Sequence, residues 1–91
     1  MAKPSFMTVW SRIVAHQGDE FHTKTALPFT YTVDGNSLVT SRTDYPLSQA
    51  GFETAYRDVP IASPGVISRT LRGPSYVWAI LHDDRIRRGD W

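Results

Sequence analysis

The fold turns on residues 28–38, Pro28-Phe29-Thr30-Tyr31-Thr32-Val33-Asp34-Gly35-Asn36-Ser37-Leu38. Phe29, Tyr31 and Val33 alternate with Thr30 and Thr32, the period-two pattern of a strand with one buried face. Asp34-Gly35-Asn36 then supplies residues that tolerate positive φ, so the chain reverses into a second strand over about 37–42. Two registers satisfy the corner: an Asp-Gly turn pairs Tyr31 with Leu38, and a Gly-Asn turn pairs Val33 with Leu38. Both put Leu38 on the buried face. Upstream, Phe21, Thr23 and Thr25 alternate with His22 and Lys24, which predicts a further strand and a three-stranded antiparallel sheet.

On either side the period lengthens. Phe6, Val9, Trp10, Ile13 and Val14 follow the i, i+3, i+4, i+7, i+8 spacing of one helical face, with Ser5 as N-cap and Gly18 able to end the helix near His16 or Gln17. After a loop over 43–46, Phe52, Ala55, Tyr56 and Val59 repeat that spacing. Ser48 is the predicted N-cap there, Leu47 and Phe52 fill the staple positions, and Pro60 stops the helix. Ser63-Pro64 opens a short third helix whose face is Val66, Ile67, Thr70 and Leu71, and Gly73-Pro74 ends it. The apolar run 75–81 suits a helix capped by Ser75 and also a buried strand; the helix is the reading adopted. The charged segment 84–91 is expected to fray, with Ile86 and Trp91 as the residues able to dock back on the body.

The expected architecture is therefore α+β: an N-terminal helix, a three-stranded antiparallel sheet with its hairpin at 34–36, then two or three short helices packed on one sheet face. Ninety-one residues, 41% of them apolar, suit one small domain over 1–91 and leave no room for two. The order differs from that of a winged helix, in which two helices normally sit between the first strand and the hairpin.

Ten Lys+Arg against nine Asp+Glu give a net charge of +1, which excludes a strongly basic nucleic-acid tail and an acidic, DNA-mimicking surface. The chain has no Cys, which removes disulfides, thiolate metal sites and thiol nucleophiles together and favours a reducing, cytoplasmic setting. No segment approaches the roughly 20 apolar residues that span a bilayer, and Met1-Ala2-Lys3-Pro4 lacks the apolar run of a signal peptide, so no membrane role is expected.

Motifs for chemistry are missing. His16, His22 and His82 lack metal-ligand spacing, and His82-Asp83-Asp84 reads as a solvated helix C-terminus. No strained elbow surrounds any Ser, the acidic pairs are sequence neighbours, and neither Gly-rich phosphate loop occurs. A non-enzymatic domain with no metal and no cofactor is the expectation.

Two features point toward phosphate oxygens. His22, Lys24, Thr30, Thr32, Ser41 and Arg42-Thr43 form a row of donors near positive charge on the outward sheet face, although Thr also favours exposed strand positions for its own sake. Arg69 and Arg72 stand beside Gly73-Pro74-Ser75, where a turn before a helix leaves amides free to meet an anion; the plainer reading is that Gly73 ends one helix and Ser75 caps the next. The candidate nucleic-acid contacts are thus Lys24, Arg42, Arg69 and Arg72. Most aromatic side chains fall on core faces. Tyr45, Trp78 and Trp91 are the candidate contacts for the alternative, a protein-interaction or self-associating module.

Trp10-Ser-Arg-Ile, Gly18-x-x-Phe21-x-Thr23, Pro28-Phe-Thr-Tyr31-x-Val33-x-Gly35-Asn36, Ser41-Arg-Thr43 and Arg72-Gly-Pro-Ser-Tyr-Val-Trp78 together resemble short uncharacterised bacterial proteins, including those carried on mobile elements such as integron cassettes and phages. The resemblance spans roughly residues 9–86. It implies no reaction, cofactor or catalytic residue.

Overall fold

The computed structural model describes residues 3–68 and 71–91. The first helix, α1 (Phe6–Ala15), begins where Ser5 accepts a bond from the Thr8 amide and buries Phe6, Val9, Trp10 and Ile13. Gly18, at φ +88°, turns the chain out of it. Five short strands follow: β1 (Phe21–His22), β2 (Pro28–Phe29), β3 (Tyr31–Asp34), β4 (Ser37–Thr40) and β5 (Leu47–Ser48). Then come α2 (Gln49–Tyr56), a single 3-10 turn (Pro64–Ile67), α3 (Pro74–Leu81) and α4 (Asp84–Arg87). The α+β class, the N-terminal helix and the helical reading of 75–81 are borne out.

The corner at 34–37 selects the Gly-Asn register: Val33 pairs with Leu38 and Asp34 with Ser37. Gly35 carries the positive φ, +60°, at the first central position, where a two-residue hairpin of type II′ needs it.

The sheet itself differs from the expected one. In place of three strands in one ladder, β1 and β2 form a two-stranded sheet and β3-β4-β5 a three-stranded one. The break falls at Thr30, whose amide donates to Ser41 Oγ (3.0 Å) while its carbonyl accepts from the Ser41 amide (2.8 Å). One residue thus takes up both backbone groups of Thr30. The alternation of buried and exposed side chains runs through unchanged, and Phe21, Phe29, Tyr31 and Leu38 all sit in the core.

The missing third strand is β5. Leu47 pairs with Leu38 and Ser48 with Ser37, and Ser48 also caps α2 by accepting from the Gly51 amide at 3.0 Å. Two residues thus serve as strand and helix cap at once. The long edge of this sheet, along β3, is bonded by the chain that leaves α1: the Gly18 amide donates to the Tyr31 carbonyl (2.9 Å) and the Val33 amide to Gln17 Oε1 (3.0 Å).

Three helical expectations change. The segment after Ser63 is one 3-10 turn, in which Ile67 is buried and Val66 is 64% exposed, so its face is narrower than the spacing suggested. Thr70, placed on that face, lies outside the described residues. Next, α3 is capped by Gly73 in the left-handed region (φ +62°) with Pro74 at the first helical position, and Ser75 lies inside the helix. Last, the 84–91 segment does not fray. Asp83 caps α4, Ile86 is 0% exposed, and Trp91 donates its indole N–H to the Leu81 carbonyl (2.8 Å) while its ring meets Tyr56 edge-on. A fully buried isoleucine and a satisfied indole outweigh the entropy of ordering a charged tail.

The core joins Phe6, Trp10, Phe52 and Tyr56 from α1 and α2, with ring centroids 5.9–6.1 Å apart, to Phe21, Phe29 and Tyr31 from the strands. The buried Tyr31 hydroxyl donates to the Ile13 carbonyl, so α1 and β3 are tied at the centre. No described buried side-chain nitrogen or oxygen lacks a hydrogen-bond partner.

Candidate nucleic-acid interface

The structure brings two of the four candidate cations to one loop. Residues 41–46 lead from β4 to β5, with Arg42 at the start and Tyr45 near the end. Arg42 reaches back so that its Nε donates to the Pro28 carbonyl, and the guanidinium of Arg72 lies 4.6 Å from the centroid of the Tyr45 ring. The loop is braced from within: Thr40 Oγ1 donates to Thr43 Oγ1, which donates to the Tyr45 carbonyl (both 3.1 Å). Tyr45 is therefore held in place as the surface on which Arg72 rests, a cation–π arrangement that fixes a planar donor while leaving its edge free.

Behind that pair opens a cleft of about 250 Å³ between the first turns of α2 and the segment leading into α3. Leu47, Leu71 and Val77 give it an apolar floor; Ser48, Thr54 and Arg72 supply the polar groups at its wall. Ser48 Oγ already accepts from the Gly51 amide and Thr54 Oγ1 donates to the Ala50 carbonyl, so Arg72 is the one charged group on that wall. Among the described residues no carboxylate pairs with Arg72, Arg42 or Lys24, whereas Arg12 is paired with Asp90 and Arg85 with Asp83 and Asp19.

Lys24 stands elsewhere, in the connection between β1 and β2. Its ammonium donates to the Ala62 carbonyl (3.3 Å) and lies 5.7 Å from the centroid of the Trp78 ring. The hairpin and the 41–46 loop are nonetheless linked, since Pro28 of β2 accepts from Arg42 and Phe29 packs edge-on against Tyr76 of α3 at 5.1 Å. Arg69 lies outside the described residues.

The other two aromatic candidates are committed to the fold. Trp78 donates its indole N–H to the Ile61 carbonyl (2.8 Å) and stacks on the His82 imidazole, with centroids 4.8 Å apart and an interplanar angle of 13°. Trp91 is docked as described above. Of the three, only Tyr45 belongs to the surface built around a free cation. The row of outward hydroxyls also changes meaning, because Ser41 is bonded to Thr30 and Thr43 braces its own loop; His22 lies 3.3 Å from Glu20.

His82 is not the solvated residue at a helix C-terminus that the sequence suggests, because the connector around Ile61 folds over it. Its ring is half-buried and bonded on both sides: Nε2 accepts from the Ile61 amide (2.9 Å), and Nδ1 lies 3.0 Å from the Trp78 carbonyl. An amide only donates and a carbonyl only accepts, so the ring is the neutral tautomer with its proton on Nδ1. Burial lowers its pKa, the bond to the Trp78 carbonyl opposes that, and the charge of Arg87 adds to the lowering. The spacing of Trp78 and His82, i and i+4, was the one available signal that both rings share a helix face.

Among the described residues no three His, Cys, Asp or Glu side chains gather where they would hold a metal ion, and no helix is long and apolar enough to cross a membrane. The chain is a small α+β protein. Comparison with family models, with curated proteins and with solved structures gives no match, so function rests on the geometry.

Proposed function

We propose that this is a non-enzymatic binding domain for nucleic acid, which it holds by the phosphate backbone. The observation that carries the reading is Arg72: a guanidinium seated on the Tyr45 ring at the mouth of a cleft, with no carboxylate partner among the described residues. A planar donor fork placed in this way, held flat on the aromatic ring beneath it, suits phosphate oxygens. Arg42, at the other end of the same loop, and Lys24, on the adjoining hairpin, add positive charge, and among the described residues neither forms an ion pair. Phosphate contacts of this kind position a ligand and carry no sequence code, so the expected binding is weakly sequence-dependent.

The test is retardation of short single-stranded and duplex DNA and RNA across a salt series. Binding should weaken linearly in log–log form, losing about 0.7–0.9 of a power of salt for each phosphate neutralised. Arg72→Glu, a change at an exposed position, should weaken it by about tenfold or more and lower the slope by about one. Absent or salt-independent retardation overturns the proposal. A dimer by light scattering in the absence of any retardation would favour self-association in its place.

A further inference from the structure

The connector that follows α2 is fastened to α3 in an unusual way. Ile61 is buried, yet neither of its backbone groups enters a strand or helix ladder. Its carbonyl accepts from Trp78 and its amide donates to His82, so two side chains one helical turn apart do the work of a neighbouring strand. The next residue, Ala62, presents its carbonyl to Lys24. Only one of these three fastenings depends on a group that titrates near neutrality, and it depends on that group being uncharged.

We infer that the His82–Ile61 contact is a pH-sensitive latch, closed with neutral imidazole and opened when His82 gains a proton. A protonated ring carries hydrogens on both nitrogens. The Nδ1–H bond to the Trp78 carbonyl survives, but Nε2–H then faces the Ile61 N–H, donor against donor, and the buried amide loses its acceptor. No tautomer change relieves the clash, because an imidazolium carries a hydrogen on each nitrogen.

The charged neighbours reinforce the arrangement. Arg87 of α4 acts on the ring by its charge and opposes a further positive charge, while Lys24 of the β1–β2 hairpin lies against the Trp78 indole on which the imidazole stacks. Asp83, the next residue, is occupied by the fork of Arg85 and gives His82 no counter-charge. Since the folded-state pKa lies below the unfolded value, the latch contributes fully above about pH 6.5 and loses its contribution as pH falls from there through the folded pKa. Opening it removes one of the three fastenings of the connector and leaves the Trp78 indole and Lys24 bonds to hold it, so the opening is local to the Ile61 amide. The latch stands on this bonding alone and is independent of any ligand.

Amide resonances and hydrogen-exchange protection of the whole protein, followed from about pH 7.5 to about pH 5, test it. The Ile61 amide and the Trp78 indole N–H should shift with the midpoint of the His82 ring protons, and Ile61 protection relative to Ile13 of α1 should fall by about tenfold. In His82→Gln, whose amide can donate and accept but does not titrate, Ile61 protection should stay flat. An Ile61 amide indifferent to the His82 midpoint, or an equal loss in His82→Gln, overturns the latch. Should His82→Gln fail to fold, the wild-type titration still decides, because the Ile61 amide must follow the His82 ring protons themselves.

Discussion

Replacing Gly73 by Ala tests the junction that leads into α3 at atomic detail. Gly73 sits at φ +62°, and a Cβ built there would lie 2.7 Å from Leu47 Cδ2, 3.4 Å from Cδ1 and 3.6 Å from Cγ. The left-handed conformation alone costs an alanine about 1–2 kcal/mol. Carbon atoms in contact normally stand about 3.5–4.0 Å apart, so roughly 1 Å of space must be found by moving Leu47. That side chain is the end of a flexible leucine, but it is buried against Leu38 in the β4–β5 pair, and displacing it adds about 1–3 kcal/mol of overpacking. The total is about 2–5 kcal/mol in a domain whose whole stability is of order 5–14 kcal/mol. Gly18 supplies the control. It is also left-handed, at +88°, with nothing within 4 Å of its virtual Cβ, so Gly18→Ala should show the conformational part alone. Urea unfolding followed by tryptophan fluorescence gives both values. Equal losses for the two variants, within about 0.5 kcal/mol, would refute the claim that Leu47 closes over Gly73.

The C-terminal segment gives a second test: Ile86→Ala should destabilise the protein by about 2–4 kcal/mol in the same urea assay if α4 is docked as described, and by less than about 0.5 kcal/mol if the segment is solvated. A third concerns Asp83, whose carboxyl burial pushes up but which the hydrogen bonds and charge of Arg85 bring, on balance, below the usual carboxylate range. Its contribution is complete above about pH 4 and is lost as pH falls through the folded pKa, so Arg85→Gln should lower stability at neutral pH by about 1 kcal/mol, water screening the exposed part of the pair, and flatten the loss below about pH 4. An unchanged acid limb in urea titrations of that variant would show that the pair does not govern it.

Much of the fold can be read from side-chain periodicity, because burial on one face leaves a record in the order of residues. Phe6 to Ile13 marks α1, and Tyr31 to Leu38 marks the hairpin. Periodicity is blind to which strand partners which. The alternation through Thr30 is unbroken although the hydrogen bonds switch to Ser41 there, since the faces keep their environment while the edges change neighbours. β5 escaped because two residues are too few to show a period, and because Ser48 carried a stronger signal as a helix cap. The 84–91 segment misled through its charges: Arg12, nominally part of α1, donates to the Ile86 carbonyl and pairs with Asp90, and these long-range partners decide whether a charged tail is solvated or folded.

The candidate site was legible by residue type and not by assembly. Arg72 and Tyr45 were each singled out, for different partners, and only tertiary packing sets one upon the other. Trp78 and Trp91 looked available because an indole is a common contact surface. Each had a backbone carbonyl waiting for its N–H, in a connector and at the end of a helix, where no spacing rule applies.

The bonds from Gln17 and Gly18 to β3 have a further consequence for how molecules of this chain meet. The first of the sheet's two rims is already stapled by its own polypeptide, and the second, β5, is only two residues long before α2 begins. This sheet therefore offers little open backbone for strand-by-strand stacking into fibrils, and copies that meet at it would join through side chains instead of shared backbone.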